Sequence, residues 1–365
     1  MLKRILCVVF IIMNLGVKAN AIEISAKSAI LYEPVTKTVI FEKNSQEKLP
    51  MASTTKIITA ITAIENGKLS DIVTTSKKAA DVEGSSIWLA EGEKQTLENL
   101  LYGLMLSSGN DAAIAIAEHI GGYDKFVEKM NETSRKAGAE STSLKNPNGL
   151  DEEGHYTTAL DMAKISAYAM ENQKFREIVS TKEKVIPWDG HQWGRTLKNH
   201  NKMLKIYEGA DGIKTGFTKK DGRCLVTSAE RNGVRLICVT LNAPNDWEDH
   251  KKMLDMGFSL YKGEKIVLEN KNADVLRGEE TTITIFPEKE VVLPVKNGDD
   301  IKIKYNLQTE INAPVSAGEN VGFAEIYLNN ILADTVNYVT KKSVDEIKIK
   351  TFKDNLTGLL YALCI

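Results

Sequence analysis

Two side chains that could form a nucleophile and its base lie three positions apart near the start of a predicted helix. Ser53 and Lys56 occur in "ASTTK", and the apolar residues that follow indicate a buried helix ending near Gly67. A serine needs a base to take its proton, and a lysine is that base only when burial or a nearby cation lowers its pKa. Residues three apart are neighbours on a helix, so the two groups can meet. Taken alone, the spacing favours the alternative of a serine that caps a helix beside a solvated lysine.

Two further groups of polar residues follow in an order that suits one catalytic cleft. Ser108 and Asn110 lie in "SGN", at the break between two predicted helices. Lys214, Thr215 and Gly216 precede a strand-like run and suit an edge strand facing the same cleft. Each group alone could be a helix cap or a surface turn. Together they predict a site in which hydroxyls, an amide and a second cation surround the first pair.

The remaining pattern predicts an α/β (α+β) fold in two domains. Strands are predicted within residues 28–42 and 222–242, with helices between them and a closing helix over 249–261. This order implies an antiparallel sheet of sequence-distant strands with a helical insertion. From about residue 264, short alternating strands indicate a small all-β domain, so we expect domains over residues 22–263 and 264–350. The helices predicted within the insertion are Leu97–Leu106, Asp111–Ile120, Tyr123–Ala137 and Ala159–Asn172.

Residues 1–21 are typical of a secretory signal peptide. Lys3 and Arg4 precede an apolar run over residues 5–15, and Ala19 and Ala21 supply the small residues before a cleavage site. An anchor kept by the mature protein is the alternative, but the run is shorter than the ~20 residues that span a bilayer. The sequence therefore predicts secretion to the outer face of the cytoplasmic membrane or the cell wall.

The composition argues against several function classes. Loss of the predicted signal would leave 44 basic and 49 acidic side chains, so nucleic acid is not an expected partner. The histidines and cysteines show neither a metal-ligand spacing nor the pattern of a Ser-His-Asp hydrolase, and no metal site is predicted. Cys224 and Cys238 flank the hairpin signal Asn232-Gly233, which would point them to opposite sheet faces and exclude a disulfide.

The three groups resemble the signature of the penicillin-recognising serine enzymes, S-x-x-K, S-x-N and K-T-G in this order. More narrowly, the chain is similar to the low-molecular-mass penicillin-binding proteins that act as D-alanyl-D-alanine carboxypeptidases. The similarity extends through "EGSSIWLAEGEKQTLENLLYGLMLSSGNDAA", "NPNGLDEEGHYTTALDMAKIS", "DGIKTGFT" and "CLVTSAERNG". The later "APVSAGENVG" resembles the β-domain appended to these enzymes. The resemblance covers nearly all of the mature chain and implies a β-lactamase/transpeptidase-like domain.

This resemblance implies a role for each residue of the first two motifs. Ser53 would be the acylated nucleophile, and Lys56 would be its general base. Ser108 would pass a proton toward the leaving group, while Asn110 would hold the substrate amide and the lysine. No metal or organic cofactor is implied.

The K-T-G segment would bind the substrate and stabilise the oxyanion. Lys214 would keep the catalytic lysine partly neutral and attract the terminal carboxylate, which the Thr215 hydroxyl would bind. Gly216 would let the substrate backbone lie along the strand as an added β-strand. The backbone N–H groups of Ser53 and Phe217 would form the oxyanion hole.

The sequence departs from the best-known members of this family at two places. Phe217 stands where a histidine often follows K-T-G, so only its backbone can serve the reaction. An arginine expected near "LNAPNDWED" is missing. Recognition of the terminal carboxylate is therefore expected to depend on Lys214 and Thr215, or on a residue that the pattern does not identify.

The implied substrate is the peptidoglycan pentapeptide stem ending in D-Ala-D-Ala, and β-lactams would acylate the same serine. A β-lactamase is disfavoured because no E-x-x-L-N-like loop occurs over residues 111–213. A strict transpeptidase is also disfavoured. Such enzymes usually carry a transmembrane anchor and a glycosyltransferase or pedestal domain, and the sequence shows no pattern for either. A non-catalytic binding or scaffold protein of the cell wall is the other alternative, and the intact motif side chains argue against it.

The predicted tail, residues 351–365, has two interpretations. It could form an amphipathic helix that lies on the membrane, or it could pack against the protein. Its cationic side is thin, since Lys353 is the one lysine there, so membrane contact would depend on apolar burial. The apolar face would consist of Phe352, Leu356, Leu359, Leu360 and Leu363.

Overall fold

The computed structural model describes residues 22–348, and the predicted signal peptide and tail lie outside the described residues. A 3-10 helix, Ala52–Thr55, leads directly into the first α-helix. The α-helices are α1 (Lys56–Asn66), α2 (Lys77–Ala80), α3 (Leu97–Leu106), α4 (Asn110–His119), α5 (Tyr123–Lys136), α6 (Ala159–Glu171), α7 (Gln173–Ser180), α8 (Met203–Ile206) and α9 (Asp246–Leu260).

The strands divide into an early set and a late set. The early strands are β1 (Ser28–Glu33), β2 (Thr38–Lys43), β3 (Ile72–Thr74), β4 (Lys94–Thr96), β5 (Glu183–Ile186), β6 (Arg195–Lys198), β7 (Ala210–Thr218), β8 (Gly222–Arg231) and β9 (Val234–Leu241). The late strands are β10 (Lys262–Ile266), β11 (Lys271–Leu276), β12 (Thr282–Pro287), β13 (Val291–Val295), β14 (Ile301–Leu307), β15 (Glu310–Asn312), β16 (Asn320–Leu328) and β17 (Ile331–Thr340).

A five-stranded antiparallel sheet occupies the centre of the first part of the chain. Its strand order is β2-β1-β9-β8-β7, so the first two strands pair with strands from far along the chain. Ala29 lies opposite Thr240, for example. The predicted sheet of sequence-distant strands is therefore confirmed, and β7, which carries the K-T-G residues, is an edge strand.

Two hydrophobic cores lie on opposite faces of this sheet because successive strand residues point to alternate sides. Ile30 packs into the core formed with α1, α3, α4 and α6. Leu31 packs into the second core, which contains residues of α9. Cys224 belongs to the first core and Cys238 to the second, and both are free thiols. The expectation that these cysteines face opposite sides is confirmed.

The helical insertion contains elements that the prediction did not name, including the helices α2 and α7. The four predicted helices are present, with bounds that differ by at most one residue at an end. The insertion also contains two short strand pairs, β3 with β4 and β5 with β6, which the hydrophobic pattern did not indicate. Strands of three or four residues show too little alternation to be recognised, and β3 pairs with a strand about twenty residues later.

The late strands form β-sheets with cores of their own. A six-stranded sheet has the order β14-β16-β17-β12-β11-β15, and β10 pairs with β13. The predicted boundary between residues 263 and 264 stays a prediction, and β10 runs across it. Across residues 22–348, no helix is long and apolar enough to cross a membrane.

Candidate active site

Ser53 lies in a short 3-10 helix whose shape depends on two threonine hydroxyls. Thr54 Oγ1 donates to the Met51 carbonyl at 2.6 Å, and Thr55 Oγ1 donates to the Ala52 carbonyl at 2.9 Å. Ala52 has a positive φ of 47° and is almost fully buried. These contacts turn the chain sharply and present Ser53 to a groove at the edge of the sheet.

Lys56 is the first residue of α1, and its amine contacts the Ser53 hydroxyl. The distance from Nζ to Ser53 Oγ is 3.0 Å. Nζ also lies 2.7 Å from Asn110 Oδ1 and 2.5 Å from the Asn148 carbonyl oxygen. The last two oxygens can only accept hydrogen bonds, so a neutral amine would donate its two protons to them. Its lone pair would then face the Ser53 hydroxyl, which is the arrangement that a general base requires.

The surroundings of Lys56 favour this neutral form. The side chain is fully buried, and burial lowers its pKa well below the usual range. The nearby Lys214 cation lowers the pKa further, and the Asp111 carboxylate acts in the opposite direction. Lys214 is also buried, which lowers its own pKa to about 7, and its amine donates to the Thr215 carbonyl at 2.7 Å.

The second motif lies in the turn between α3 and α4. Asn110 begins α4, and its Nδ2 donates to the Glu83 carbonyl at 2.6 Å. This bond orients the amide so that Oδ1 faces Lys56. Ser108 has a φ of 60°, is 5% exposed, and lines the same groove as Ser53.

The K-T-G segment of β7 packs directly against the 3-10 helix. A Cβ atom at Gly216 would lie 3.1 Å from the backbone nitrogen of Ser53 and 3.2 Å from the Cβ of Ala52. A side chain at this position would force the contact with Ser53 to open by a few tenths of an ångström. Thr215, Gly216 and Phe217 all line the groove, and the Phe217 ring is 64% exposed.

The groove has a volume of about 330 Å³, and all of the predicted site residues except Lys56, Asn110 and Lys214 line it. Lys56 and Asn110 lie beneath it, joined to Ser53 by the hydrogen bonds described above. Its lining consists of Ser53, Ser85, Ser108, His200, Lys202, Thr215, Gly216, Phe217, Arg223, Asp246 and Trp247.

Arg223 lies in the groove, at a position that the sequence pattern did not identify. It lies on β8 directly opposite Phe217. Its Nε and Nη2 atoms each lie 3.0 Å from a carboxylate oxygen of the buried Asp246, and its guanidinium stacks over Trp247 at 5.5 Å. The arginine was expected in "LNAPNDWED", and this segment contains Asp246 instead. The dipeptide Asp221-Gly222 is a sequence signal for a hairpin. Pairing of the strands on either side of that hairpin brings Arg223 to the groove.

The segment 146–155 also supports the site in ways that the motifs did not indicate. The Asn148 carbonyl accepts from Lys56, as described above. His155 Nδ1 accepts from the Lys145 N–H, so Nε2 carries the proton and donates to Thr55 Oγ1 at 2.9 Å. Burial lowers the pKa of His155 to about 4, which keeps the ring neutral. This histidine positions the 3-10 helix and makes no hydrogen bond to Ser53.

Comparisons with known proteins agree with this geometry. Residues 15–245 match the family described as D-alanyl-D-alanine carboxypeptidase. Residues 258–346 match the C-terminal domain of penicillin-binding protein 5. These two matches follow each other along the chain, in the order of the early and late strands.

Individual relatives extend over most of the chain. It is 36% identical to the D-alanyl-D-alanine carboxypeptidase DacF of Bacillus subtilis, over 84% of this chain and 82% of that protein. It is 32% identical to DacD of Escherichia coli, over 89% and 88%. Among solved structures, penicillin binding protein 5 from Haemophilus influenzae aligns with a TM-score of 0.63 and 26% identity, covering 89% of this chain and 98% of that one. The chain belongs to the D-alanyl-D-alanine carboxypeptidase family of penicillin-binding serine peptidases.

Proposed function

We propose that this protein removes the terminal D-alanine from peptidoglycan pentapeptide stems through an acyl-enzyme on Ser53. The observation that carries the proposal is the position of the Lys56 amine. The amine nitrogen lies 3.0 Å from the Ser53 hydroxyl. Its N–H groups donate hydrogen bonds to Asn110 Oδ1 and to the Asn148 carbonyl oxygen, which can only accept. The pair has the geometry of a nucleophile with its base.

The acylation step follows from this arrangement. Ser53 Oγ bonds to the carbonyl carbon of the penultimate D-alanine while its proton passes to Lys56 Nζ. The oxyanion accepts hydrogen bonds from the backbone N–H groups of Ser53 and Phe217. When the intermediate collapses, the carbon–nitrogen bond breaks. The nitrogen takes the proton that Lys56 holds, passed through Ser108, so D-alanine leaves and Lys56 is neutral again.

Hydrolysis of the ester completes the cycle. A water molecule adds to the acyl carbon and loses a proton to the neutral Lys56 amine. The bond to Ser53 Oγ then breaks, and that oxygen regains a proton. The products are the tetrapeptide stem and the free enzyme. A β-lactam would form the same ester, and for this reason we propose that β-lactams also acylate Ser53.

Arg223 is proposed as the cation that binds the substrate's terminal carboxylate. Lys214 is 1% exposed, and its amine already donates to a backbone carbonyl. The Arg223 side chain is 41% exposed within the groove, and Asp246 holds it in a fixed orientation. A fixed guanidinium suits a carboxylate because its paired N–H groups match the two oxygens. The Thr215 hydroxyl would supply a further donor.

Replacing this cation should weaken substrate binding. We expect Arg223→Ala to raise KM for a defined pentapeptide about tenfold or more, because a charge-assisted hydrogen bond is lost. Arg277→Ala is a suitable control, since that exposed arginine pairs with Glu346 in the late part of the chain. Steady-state D-alanine release measures both. Equal KM values for Arg223→Ala and the unmodified protein would exclude the assignment.

We also propose a location for the enzyme, based on its proposed substrate and on the predicted signal peptide. A D-Ala-D-Ala stem is found outside the cytoplasmic membrane, and the predicted signal peptide would deliver the protein there as a secreted enzyme of the cell wall. The tail could add peripheral membrane contact. Sedimentation with lipid vesicles, compared before and after deletion of residues 352–365, would test that contact, and unchanged sedimentation would exclude it.

D-alanine release from a defined pentapeptide tests the proposed function. We expect release by the unmodified protein, none with Ser53→Ala, and none from the matching tetrapeptide. Penicillin labelling without D-alanine release would favour the non-catalytic binding protein. Rapid turnover of penicillin would instead favour a β-lactamase.

A further inference from the structure

Two tryptophans of the helical insertion expose most of their surface. Trp88 is 76% exposed and Trp193 is 65% exposed. Large apolar rings are usually buried, so exposed rings that lie near each other indicate a binding surface. Trp88 lies in the loop before β4, and Trp193 lies in the loop between β5 and β6.

Hydrogen bonds to a buried carboxylate fix the backbone around Trp88 so that its side chain points to solvent. Asp111 is fully buried and accepts from the Ile87 and Leu89 N–H groups and from the Ser86 hydroxyl. The Trp88 N–H donates to Ser86 Oγ at 2.7 Å, and its φ is 64°. Because Ile87 and Leu89 are buried on either side, the loop is fixed and the ring between them is presented to solvent.

A buried arginine joins this loop to the other aromatic residues. Arg195 forms a two-point ion pair with Glu93, and both side chains are almost fully buried. It donates to the Trp88 carbonyl at 3.0 Å and lies 4.9 Å from the centre of the Trp188 ring. Trp188 stacks on His191 at 4.2 Å, and His191 lies 5.4 Å from Trp193.

A second groove, of about 410 Å³, is lined by Trp88 and Arg195 and adjoins the catalytic groove. Ser85 and His200 line both grooves. Serine and threonine hydroxyls also line it, supplied by Ser86, Ser107 and Thr196 beside the Trp88 ring. The surface therefore combines flat apolar faces with hydroxyl groups and the exposed Lys198 side chain, and its buried arginine is paired with Glu93.

We propose that the surface formed by Trp88, Trp188, His191 and Trp193 binds the glycan strand to which the stem peptide is attached. Pyranose rings have apolar C–H faces, which stack on aromatic rings, and hydroxyl edges, which suit serine and threonine. This proposal rests on the proposed function, because the stem joins its glycan at the amino end. The substrate is then polymeric or sugar-bearing peptidoglycan in preference to free peptide.

The reach of the stem agrees with this assignment. A five-residue peptide spans at most about 18 Å when extended. Its carboxyl end would lie at Ser53, and its amino end would leave the catalytic groove. Trp88 is three residues beyond Ser85, so it lies within about 10 Å of the edge that the two grooves share. A stem that leaves along this shared edge would bring its sugar to Trp88.

The test compares D-alanine release from a disaccharide-pentapeptide with release from the same pentapeptide without sugar. We expect kcat/KM to favour the disaccharide substrate about tenfold, and the variant carrying Trp88→Ala and Trp193→Ala to lose most of this preference. Trp193→Ala alone changes an exposed loop residue and should lose part of it. Phe323→Ala, an exposed aromatic of β16, should keep it in full.

A binding measurement separates this proposal from the proposed function. Peptide-free glycan chains are titrated into the unmodified protein and the double variant while tryptophan fluorescence is followed. We expect saturable binding that the double variant loses, whether or not the protein releases D-alanine. No binding to glycan by the unmodified protein, binding to neutral phosphatidylcholine vesicles instead, or a preference that survives in the double variant would overturn the proposal. Penicillin acylation in the same samples shows whether the catalytic groove is intact.

Discussion

Two buried lysines define the electrostatics of the site at the scale of single residues. Removing an ammonium from water is unfavourable, so burial lowers the pKa of both Lys56 and Lys214. The two groups also repel each other when charged, and this repulsion lowers the pKa of Lys56 further. The protein therefore obtains a neutral amine beside Ser53 by burial and by a second cation, without using a histidine.

Removal of the second cation should shift the pH dependence of acylation. Lys56 acts as a base only when neutral, so acylation rises as the pH increases through its pKa. We expect Lys214→Gln to raise that pKa and move the acidic limb to higher pH. Single-turnover acylation by fluorescent penicillin, at saturating concentration, measures this limb. Lys205→Gln, at an exposed position, should leave the limb in place. A limb that stays fixed or moves to lower pH in Lys214→Gln would contradict this coupling.

At the scale of elements, the position of Ser53 depends on the contact between the 3-10 helix and the loop at residues 147–149. Gly149 has a φ of 83°, and a Cβ there would lie 2.0 Å from the Ala52 carbonyl oxygen and 2.9 Å from Thr55 Oγ1. A side chain at this glycine would displace the turn that holds the nucleophile. The same loop supplies the Asn148 carbonyl to Lys56.

Gly149→Ala should therefore impair catalysis through displacement of Ser53. We expect penicillin acylation to fall on the order of a hundredfold, the usual effect of misplacing a reacting group by about 1 Å. Gly92→Ala is a matched control, because Gly92 has nearly the same φ, 81°, and nothing within 4 Å of its Cβ position. The control carries the backbone strain without the clash. If both variants lost activity equally, backbone strain alone would explain the loss, and the predicted displacement of Ser53 would be contradicted.

The elements that the sequence predicts well are those with local signals. Helix α3 begins where Thr96 accepts from the Asn99 N–H, and α6 begins where Thr158 accepts from the Asp161 N–H. The residues that form such a cap lie three positions apart in the sequence, so a local sequence pattern predicts it. The β3–β4 pair has no comparable signal, because its partners lie about twenty residues apart and each strand has three residues.

The candidate site shows the same division. The motifs directly identify the residues proposed as nucleophile and base and the K-T-G residues, and the structure brings these residues together. Arg223 could be placed only through the register of β7 against β8, and its orientation depends on Asp246 from the start of α9. The Asn148 carbonyl is a backbone group, whose role no residue type reveals. Motifs made of residue types do not reveal contacts that depend on strand register or on backbone atoms.

At the scale of the whole molecule, the central sheet separates two cores that contain one cysteine each. Burial raises the pKa of Cys224 to about 12 and raises that of Cys238 well above its usual range. Both thiols are fully buried. A thiol reacts as the thiolate, so two buried, protonated thiols should be inert in the folded state.

Alkylation followed by peptide mapping tests this arrangement. We expect neither Cys224 nor Cys238 to react with iodoacetamide in the native protein at neutral pH, and both to react after unfolding in guanidinium without a reductant. The second result requires that no disulfide joins them. A linked Cys224–Cys238 peptide, or rapid labelling of either thiol before unfolding, would contradict the two-core arrangement.

Mapping the penicillin adduct tests the central claim most directly. The protein is incubated with penicillin, digested, and examined by mass spectrometry, beside Ser53→Ala and Lys56→Arg. We predict one penicillin per chain on the peptide that contains Ser53, no adduct with Ser53→Ala, and little with Lys56→Arg, which keeps the charge and lacks the base. An adduct on another residue, or full acylation of Lys56→Arg, would contradict the claim that the neutral Lys56 amine activates Ser53.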